Sequence, residues 1–152
     1  AIGLCVKFMT GLPIRFAGKD TLFKVPLLGP LLLRWGGVPV NRRERTGFID
    51  AMIALFRRHD EFRLAIAPEG TRSRAPHWKS GFYHLARAAG VPLALAFIDY
   101  PRCEVGLGAY LDLTGDRLAD MARIRAFYSA KRGRHPQNQG PVRLRDEPPA
   151  VD

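Results

Sequence analysis

Short apolar runs alternate with segments of helical periodicity along most of this chain, and this alternation limits the folds that the chain can adopt. Strand-like runs lie at residues 13–17, 38–40, 63–67, 91–98 and 105–113. Apolar residues recur at helical spacing over 46–59, 80–89 and 117–131. Strands that alternate with helices predict an α/β fold, a layered domain with a mostly parallel sheet flanked by helices. In such a sheet, ligands bind beyond the carboxyl ends of the strands.

The segment between the first two strands is rich in leucine but interrupted. Pro26 and Pro30 each remove a backbone donor and disfavour helical geometry in the preceding residue, so we expect two short helical pieces here. The same prolines, with Lys24 and Arg34, exclude a membrane-spanning helix, which needs about 20 nearly uninterrupted apolar residues. The continuous apolar run at 91–98 predicts a strand covered on both faces of a parallel sheet.

The length of the chain suits one domain, which we place at 1–132 because no linker interrupts the pattern before that point. Over 133–152, proline, glutamine, asparagine and charged residues dominate, and we expect a mobile C-terminal tail. The two cysteines, Cys5 and Cys103, are too few and too far apart for a disulfide framework or a zinc site. We expect both to be buried thiols.

The charge of the chain narrows the choice of partners. It carries 24 Lys and Arg against 14 Asp and Glu, a formal net charge of +10, which favours anionic surfaces and phosphorylated ligands. Nucleic acid would fit this charge, but binding of single strands also needs aromatic residues interleaved with basic ones as stacking platforms. That pattern is absent from the sequence, so we expect no nucleic acid.

A loop of mixed chemistry, Pro68-Glu69-Gly70-Thr71-Arg72-Ser73-Arg74, follows the strand at 63–67. Gly70 lets the backbone approach a ligand closely, Thr71 offers a hydroxyl, and Arg72 offers a planar fork suited to a phosphate. These three residues together are typical of a loop that binds an anion. A surface turn in which Glu69 pairs with a neighbouring arginine is an equally open interpretation.

Basic residues stand at three further positions where a strand ends or a helix begins. Arg42 and Arg43 follow the strand at 38–40, Lys19 follows the first strand, and Lys79 precedes the helix at 80–89. Each one alone is more simply a solvated charge. Four basic sites of this kind indicate a shared anionic ligand.

Four blocks of the sequence, in this order and spacing, resemble the glycerolipid acyltransferase family. They are Phe16-Ala17-Gly18-Lys19, Gly37-Val38-Pro39-Val40-Asn41-Arg42, Pro68-Glu69-Gly70-Thr71-Arg72-Ser73 and Val91-Pro92. The likeness covers roughly 13–100 and is greatest to the 1-acylglycerol-3-phosphate acyltransferase type. It implies transfer of a fatty acyl group from a thioester of coenzyme A or acyl carrier protein to a lysophospholipid hydroxyl, which yields phosphatidic acid. It implies no cofactor besides that co-substrate.

The resemblance implies an acceptor-binding role for Lys19, Arg42, Arg43, Glu69, Gly70, Thr71, Arg72 and Lys79. Arg72, with Lys19 and Arg42, would hold the acceptor phosphate. Glu69 and Thr71 would shape the acceptor site. The other basic residues of this set are weaker candidates.

The sequence departs from the family at the catalytic base. The family uses a histidine followed after four intervening residues by an aspartate, upstream of the block at 16–19. The four histidines of this chain are followed, five positions on, by Leu64, Phe82, Ala89 and Gly140. Attack of an alcohol on a thioester needs a base, and the base needs a carboxylate to orient it. Because the chain starts at Ala1 without methionine and inside an apparent helix over 1–10, we expect the motif upstream and a chain that binds without catalysing.

The acyl donor also requires an apolar groove, for which the leucine-rich segment at 22–35 supplies surface between Lys24 and Arg34. Such a segment could instead rest on an anionic membrane surface, and core packing is an equally open interpretation of each leucine. The resemblance implies a peripheral protein on the cytoplasmic side of a membrane. The main alternative is a non-catalytic module that binds phosphorylated lipid or anionic membrane, and the oligomeric state is left open.

Two further groups have a functional and a structural interpretation. His77 and Trp78 could line the acceptor cleft, although an aromatic residue beside a helix start is more often a packing residue. Asp112, Asp116 and Asp120 have a spacing compatible with a metal. The last two fit better as charges at a helix N-terminus, so we expect no metal.

Overall fold

A computed structural model of the chain describes residues 11, 13–40, 45–71 and 73–147, without the side chains of Lys19, Val40, Arg45 and Thr46. The chain divides into two compact units, of which the first ends at Ile66 and the second begins at Ala67. The helix expected over 1–10 lies outside the described residues.

The first unit is built on a parallel sheet. Its elements are β1 (Ile14–Lys19), α1 (Asp20–Phe23), α2 (Leu28–Arg34), β2 (Gly37–Val40), α3 (Arg45–Arg58) and β3 (Arg63–Ala65). The strand order is β2-β1-β3, and both pairings of the central strand are parallel. The prediction of an α/β layered fold with a parallel sheet is therefore confirmed. Because the chain moves from β1 to one side and then to the other, the strand order reverses at the carboxyl end of β1, where ligands bind in such sheets.

The two short helical pieces expected between β1 and β2 are present, and a phenylalanine attaches them to the sheet. The ring of Phe23 lies over Gly18 and Gly37, where an added Cβ would come within 2.8 Å of ring carbons in both cases. Gly29 is buried against the Phe23 backbone, which any side chain would strike. Glycine at these three positions thus lets the segment pack closely on β1 and β2. None of the helices in the described ranges combines the length and the apolar character needed to cross a membrane.

The second unit contains a pair of strands between helices. Its elements are α4 (Gly81–Ala89), β4 (Leu93–Asp99), β5 (Glu104–Leu111), α5 (Arg117–Tyr128) and a 3-10 turn at Pro136–Asn138. β4 and β5 pair antiparallel, with Ile98 opposite Val105. The prediction of a parallel pairing for the run at 91–98 is wrong here, because a connection of four residues can join only antiparallel neighbours. Cys103 lies in this connection and is exposed, so the expectation of a buried thiol is also wrong for that residue.

The core of the second unit includes a residue from the end of the chain. Its buried members are Trp78, Leu95, Leu111, Met121, Ile124 and Leu144. Leu144 is 1% exposed, and its backbone N–H donates to the buried carboxylate of Glu147 at 2.6 Å. The Arg125 guanidinium donates to the same carboxylate at 3.2 Å. Part of the expected tail therefore packs on the core, while the domain boundary at 132 and the mobility of the tail stay predictions.

Candidate functional site

The loop that follows β3 begins with a tight turn. The Gly70 N–H donates to the Ala67 carbonyl at 3.2 Å, which closes a four-residue turn. Pro68 and Gly70 occupy its second and fourth positions, where such turns favour proline and glycine. Gly70 has φ of +64°, a region that side chains other than glycine enter with strain. Pro68 and Gly70 of this loop therefore first of all specify the turn.

Lys79 folds back over this turn. Its N–H donates to the Pro68 carbonyl at 2.9 Å, so the chain returns to the start of the loop before α4 begins. Its Nζ lies 2.8 Å from the position that a Cβ on Gly70 would occupy. A side chain at 70 would therefore displace the lysine. The structure brings together Gly70 and Lys79 and places an ammonium group directly above the exposed backbone of the turn.

Glu69, in the same turn, is half-buried, and its charge affects the pKa of Tyr128 in α5. Burial, with the carboxylate of Glu69 as a smaller contribution, raises the pKa of Tyr128 to about 12. The Tyr128 hydroxyl donates to the Ala96 carbonyl of β4 at 2.8 Å. Tyr128 is a neighbour of the site that sequence reasoning missed. No sequence signal could have found it, because the two residues are far apart along the chain and an isolated tyrosine in a helix has many explanations.

The remaining predicted residues are placed less completely. Thr71 is exposed, and its Oγ1 accepts from the Ser73 N–H at 3.2 Å, which leaves the hydroxyl proton available for a ligand. Lys19 is the last residue of β1 and stands opposite Val40, at the carboxyl edge of the sheet of the first unit. The predictions for Arg42, Arg43 and Arg72 lie outside the described residues.

The far end of the loop is held by the core. The Trp78 N–H donates to the Arg143 carbonyl at 2.7 Å, and Trp78 forms an isolated parallel bridge with Leu144. Trp78 is buried, so its interpretation as a packing residue is confirmed. His77 is half-buried beside it and accepts at Nε2 from the Arg145 guanidinium at 3.4 Å. Lys79 is thus positioned from both sides, by the turn before it and by the core residue next to it.

Two of the three aspartates whose spacing is compatible with a metal, Asp116 and Asp120, have structural roles. Asp116 caps α5 by accepting from the N–H groups of Leu118 and Ala119, each at 3.1 Å. Asp120 is buried and accepts from the Tyr83 hydroxyl at 2.9 Å. Burial would raise the pKa of Asp120, but hydrogen bonds from Thr114, Tyr83 and Gly115 outweigh it and hold this pKa below its ordinary value. Over the described ranges, no cluster of three or more His, Cys, Asp or Glu side chains could hold a metal ion.

Comparison with known proteins gives one family model and several curated relatives that match part of the chain. A family model described as Acyltransferase matches residues 1–97. A 1-acyl-sn-glycerol-3-phosphate acyltransferase of Haemophilus influenzae is 38% identical over 81 residues, which are 50% of this chain and 34% of the relative. Proteins of the same description from Salmonella typhimurium and Escherichia coli K12 are 34% identical over 86 and 87 residues, which are 53% of this chain and 35% of each relative. No solved structure matches.

These matches cover different shares of the proteins compared. The chain spans about a third of the length of the curated relatives. The family model, in contrast, covers more than half of the chain and includes β1, β2 and the turn at Gly70 with Lys79 above it. The chain belongs to the Acyltransferase family.

Proposed function

We propose that this chain carries the acceptor-binding part of an O-acyltransferase that acts on 1-acylglycerol-3-phosphate and yields phosphatidic acid. The observation that carries this proposal is the position of the Lys79 ammonium above the Gly70 backbone, in a loop of the Glu-Gly-Thr-Arg type. A phosphate monoester is the part of this acceptor that a neutral lipid lacks. The names of the curated relatives support the same acceptor.

The acceptor phosphate would be held by cations and by the exposed turn. Lys79 supplies a point charge, and the free hydroxyl proton of Thr71 supplies a donor beside it. Hydrogen bonds between a cation and a phosphate are about twice as strong as neutral ones. Arg72, in the same loop, would be a further cation for the phosphate. The resemblance also implies acceptor-binding roles for Lys19, Arg42 and Arg43, which remain part of the proposal. Glu69, held close to Tyr128, would shape the acceptor site without contacting the phosphate.

The reaction joins the acceptor hydroxyl to an acyl thioester of coenzyme A or acyl carrier protein. The hydroxyl oxygen attacks the thioester carbonyl carbon, a C–O bond forms, the C–S bond breaks, and the thiolate takes up a proton. The hydroxyl proton needs a base. The pair of histidine and aspartate that serves this purpose in the family is not present in the given sequence. We therefore expect the chain to bind the acceptor without turning it over, and to need no other cofactor or metal.

The acceptor and the product of this reaction are membrane lipids, so the proposed location is peripheral, on the cytoplasmic side of a membrane.

Calorimetry with 1-acylglycerol-3-phosphate below its critical micelle concentration tests the acceptor site. Monoacylglycerol, which lacks the phosphate, is the ligand control, and Arg134→Ala, which removes an exposed cation of the same unit, is the protein control. We expect Lys79→Ala and Arg72→Ala to weaken binding by about tenfold or more, because each removes a charge-assisted hydrogen bond. Lys79→Arg should retain part of the affinity. Equal binding of both ligands, or equal losses in Lys79→Ala and Arg134→Ala, would overturn the acceptor assignment.

A further inference from the structure

The first unit presents large apolar side chains to solvent along one short segment. We call this the leucine surface, formed by Leu22, Val25, Leu27, Leu28, Leu31 and Leu33, all exposed. Single exposed apolar residues are ordinary, but a contiguous set marks an interaction site. The ring of Phe23 packs on Gly18 and Gly37 and keeps this segment on the sheet. Within the described part of the first unit, the leucine surface is therefore the outward side of a packed segment.

The tip of the leucine surface has an unusual backbone. Leu27 has φ of +67° and ψ of −43°, and the N–H of Leu28 donates to the Pro26 carbonyl at 2.8 Å. A bond between residues two apart across a positive φ is the rare and strained form of the three-residue turn. The side chain of Leu27 is 89% exposed. Because the Leu27 side chain is exposed to water, its burial does not offset the backbone strain. Strain of this kind is concentrated at functional sites.

The charges around the leucine surface indicate what covers it. Residues 21–35 contain no carboxylate and two cations, Lys24 and Arg34, both exposed. The Lys24 side chain is 77% exposed, and its ion pair with Asp20, at 3.8 Å, is of the weak surface type. Exposed leucines flanked by cations are complementary to a layer with an apolar interior and anionic groups at its surface. A lipid bilayer with anionic headgroups has this arrangement.

We propose that the leucine surface docks on an anionic lipid bilayer, with the side chain of Leu27 inserted deepest and Lys24 and Arg34 at the headgroups. The docking proposal rests on the proposed function, because an enzyme that acts on lipid substrates must reach a bilayer. The strained turn presents Leu27 ahead of its neighbours, so one side chain enters first and the remaining leucines follow as the helix settles. A second copy of the chain or a protein partner would be an alternative occupant that the test below separates.

Co-sedimentation with vesicles tests the docking. Vesicles of phosphatidylglycerol and phosphatidylcholine in equal parts are compared with phosphatidylcholine alone, for the parent chain, Leu27→Asp and Leu118→Asp. Leu118 is 59% exposed in the second unit and serves as the matched control. We expect Leu27→Asp to lower the partition coefficient by about tenfold or more, since it removes the leucine that would become buried in the bilayer. Leu118→Asp should leave it unchanged. Equal behaviour of the two variants would overturn the proposal.

Two further measurements address the cations and the depth of insertion. Lys24→Gln with Arg34→Gln should lower binding to the anionic vesicles by about fivefold per charge and leave phosphatidylcholine binding unaffected. Tryptophan emission of Leu27→Trp should shift to the blue on anionic vesicles, whereas that of Leu118→Trp should not. Circular dichroism of each variant confirms that the fold is kept. An unshifted Leu27→Trp emission would contradict insertion.

The outcomes for docking and for the acceptor site are distinguishable. Leu27→Asp should bind monomeric 1-acylglycerol-3-phosphate like the parent chain, and Lys79→Ala should bind vesicles like the parent chain. If vesicle binding persists while acceptor binding fails, the proposed function falls and the docking surface stands. Sedimentation velocity without lipid provides the remaining test. A dimer that Leu27→Asp dissociates would show that a second copy covers the surface, which overturns the proposal.

Discussion

Gly70 meets two constraints at once, and each has its own energetic consequence. Its φ of +64° strains any other residue, and a Cβ at this position would come within 2.8 Å of Lys79 Nζ. Gly90, the residue after α4, has a similar φ of +66° but no atom within 4 Å of an added Cβ. The two glycines therefore differ only in the neighbour that a methyl group would meet. The pair separates backbone strain from the position of Lys79.

We expect Gly70→Ala and Gly90→Ala to lower the free energy of unfolding by similar amounts, about 1 kcal/mol each, because both place alanine at positive φ. Only Gly70→Ala should also weaken binding of 1-acylglycerol-3-phosphate, because it displaces the ammonium group. Urea denaturation measures the first effect and calorimetry the second. If both variants bind the acceptor like the parent chain, the position of Lys79 has no bearing on the site.

Individual residues of the site differ in how far the sequence could predict them. The turn at Gly70 and the exposed hydroxyl of Thr71 could be predicted because both are local properties of the loop, while their role in binding stays a prediction. Lys79 is a weaker candidate in the sequence, and two structural observations place it over the turn: the hydrogen bond from its N–H to the Pro68 carbonyl and the position of its Nζ beside Gly70. Tyr128 could not be found, since its proximity to Glu69 depends on how α5 packs. The residue type predicts the chemistry of a side chain, but its spatial neighbours are determined by the tertiary fold.

At the scale of elements, Asp120 joins α4, α5 and the loop that precedes α5. Its carboxylate, on α5, accepts from the Tyr83 hydroxyl on α4 at 2.9 Å and from the Thr114 N–H at 3.0 Å. Because hydrogen bonds hold its pKa below the ordinary value of an aspartate, the charged form stabilises the folded state. This contribution is complete above the pKa in the unfolded chain, about 3.9, and is lost as the pH falls through the lower native pKa.

We expect Asp120→Asn to lower the free energy of unfolding by about 3 kcal/mol at neutral pH. The amide NH2 of asparagine would face the N–H and O–H donors that the carboxylate accepts from, and one of these donors would lose its acceptor. The difference from the parent chain should shrink at acid pH, as the pH falls below the ordinary aspartate pKa of about 3.9 and the parent loses the same charge. Asp116→Asn is the control, because asparagine caps a helix as well as aspartate. Urea denaturation at both pH values measures these differences. An effect of the same size at neutral and acid pH would assign it to packing and not to charge.

The elements themselves and the parallel sheet of the first unit could be predicted closely, but the antiparallel pairing of β4 with β5 could not. α3 was expected at 46–59 and spans Arg45–Arg58, because its apolar spacing is a local signal. The apolar run at 91–98 gave β4 but not its antiparallel partner, since an apolar run carries no direction. Leu144 stands among polar residues, so no periodic pattern indicated that it enters the core. A contact between one residue and a core that is distant along the chain leaves no recognisable pattern in a single sequence.

At the scale of the whole molecule, the net charge of +10 and the leucine surface would act on the proposed membrane partner through different forces. Attraction between exposed charges is screened by salt over a Debye length of about 10 Å at 0.1 M ionic strength. Burial of apolar side chains in a bilayer is not screened in this way. Salt therefore separates the two contributions to membrane binding in the unmodified chain.

We expect the partition coefficient on phosphatidylglycerol vesicles to fall by about tenfold or more when NaCl is raised from about 0.05 M to about 0.5 M, because several cations face the anionic surface. It should then level off near the value for phosphatidylcholine vesicles, which should not fall with salt. Leu27→Asp should keep the salt dependence and lower the value at the plateau, since it removes only apolar contact. Binding that vanishes completely at high salt would show that charge alone holds the chain on the bilayer. Binding indifferent to salt would show that the excess of 24 Lys and Arg over 14 Asp and Glu faces elsewhere.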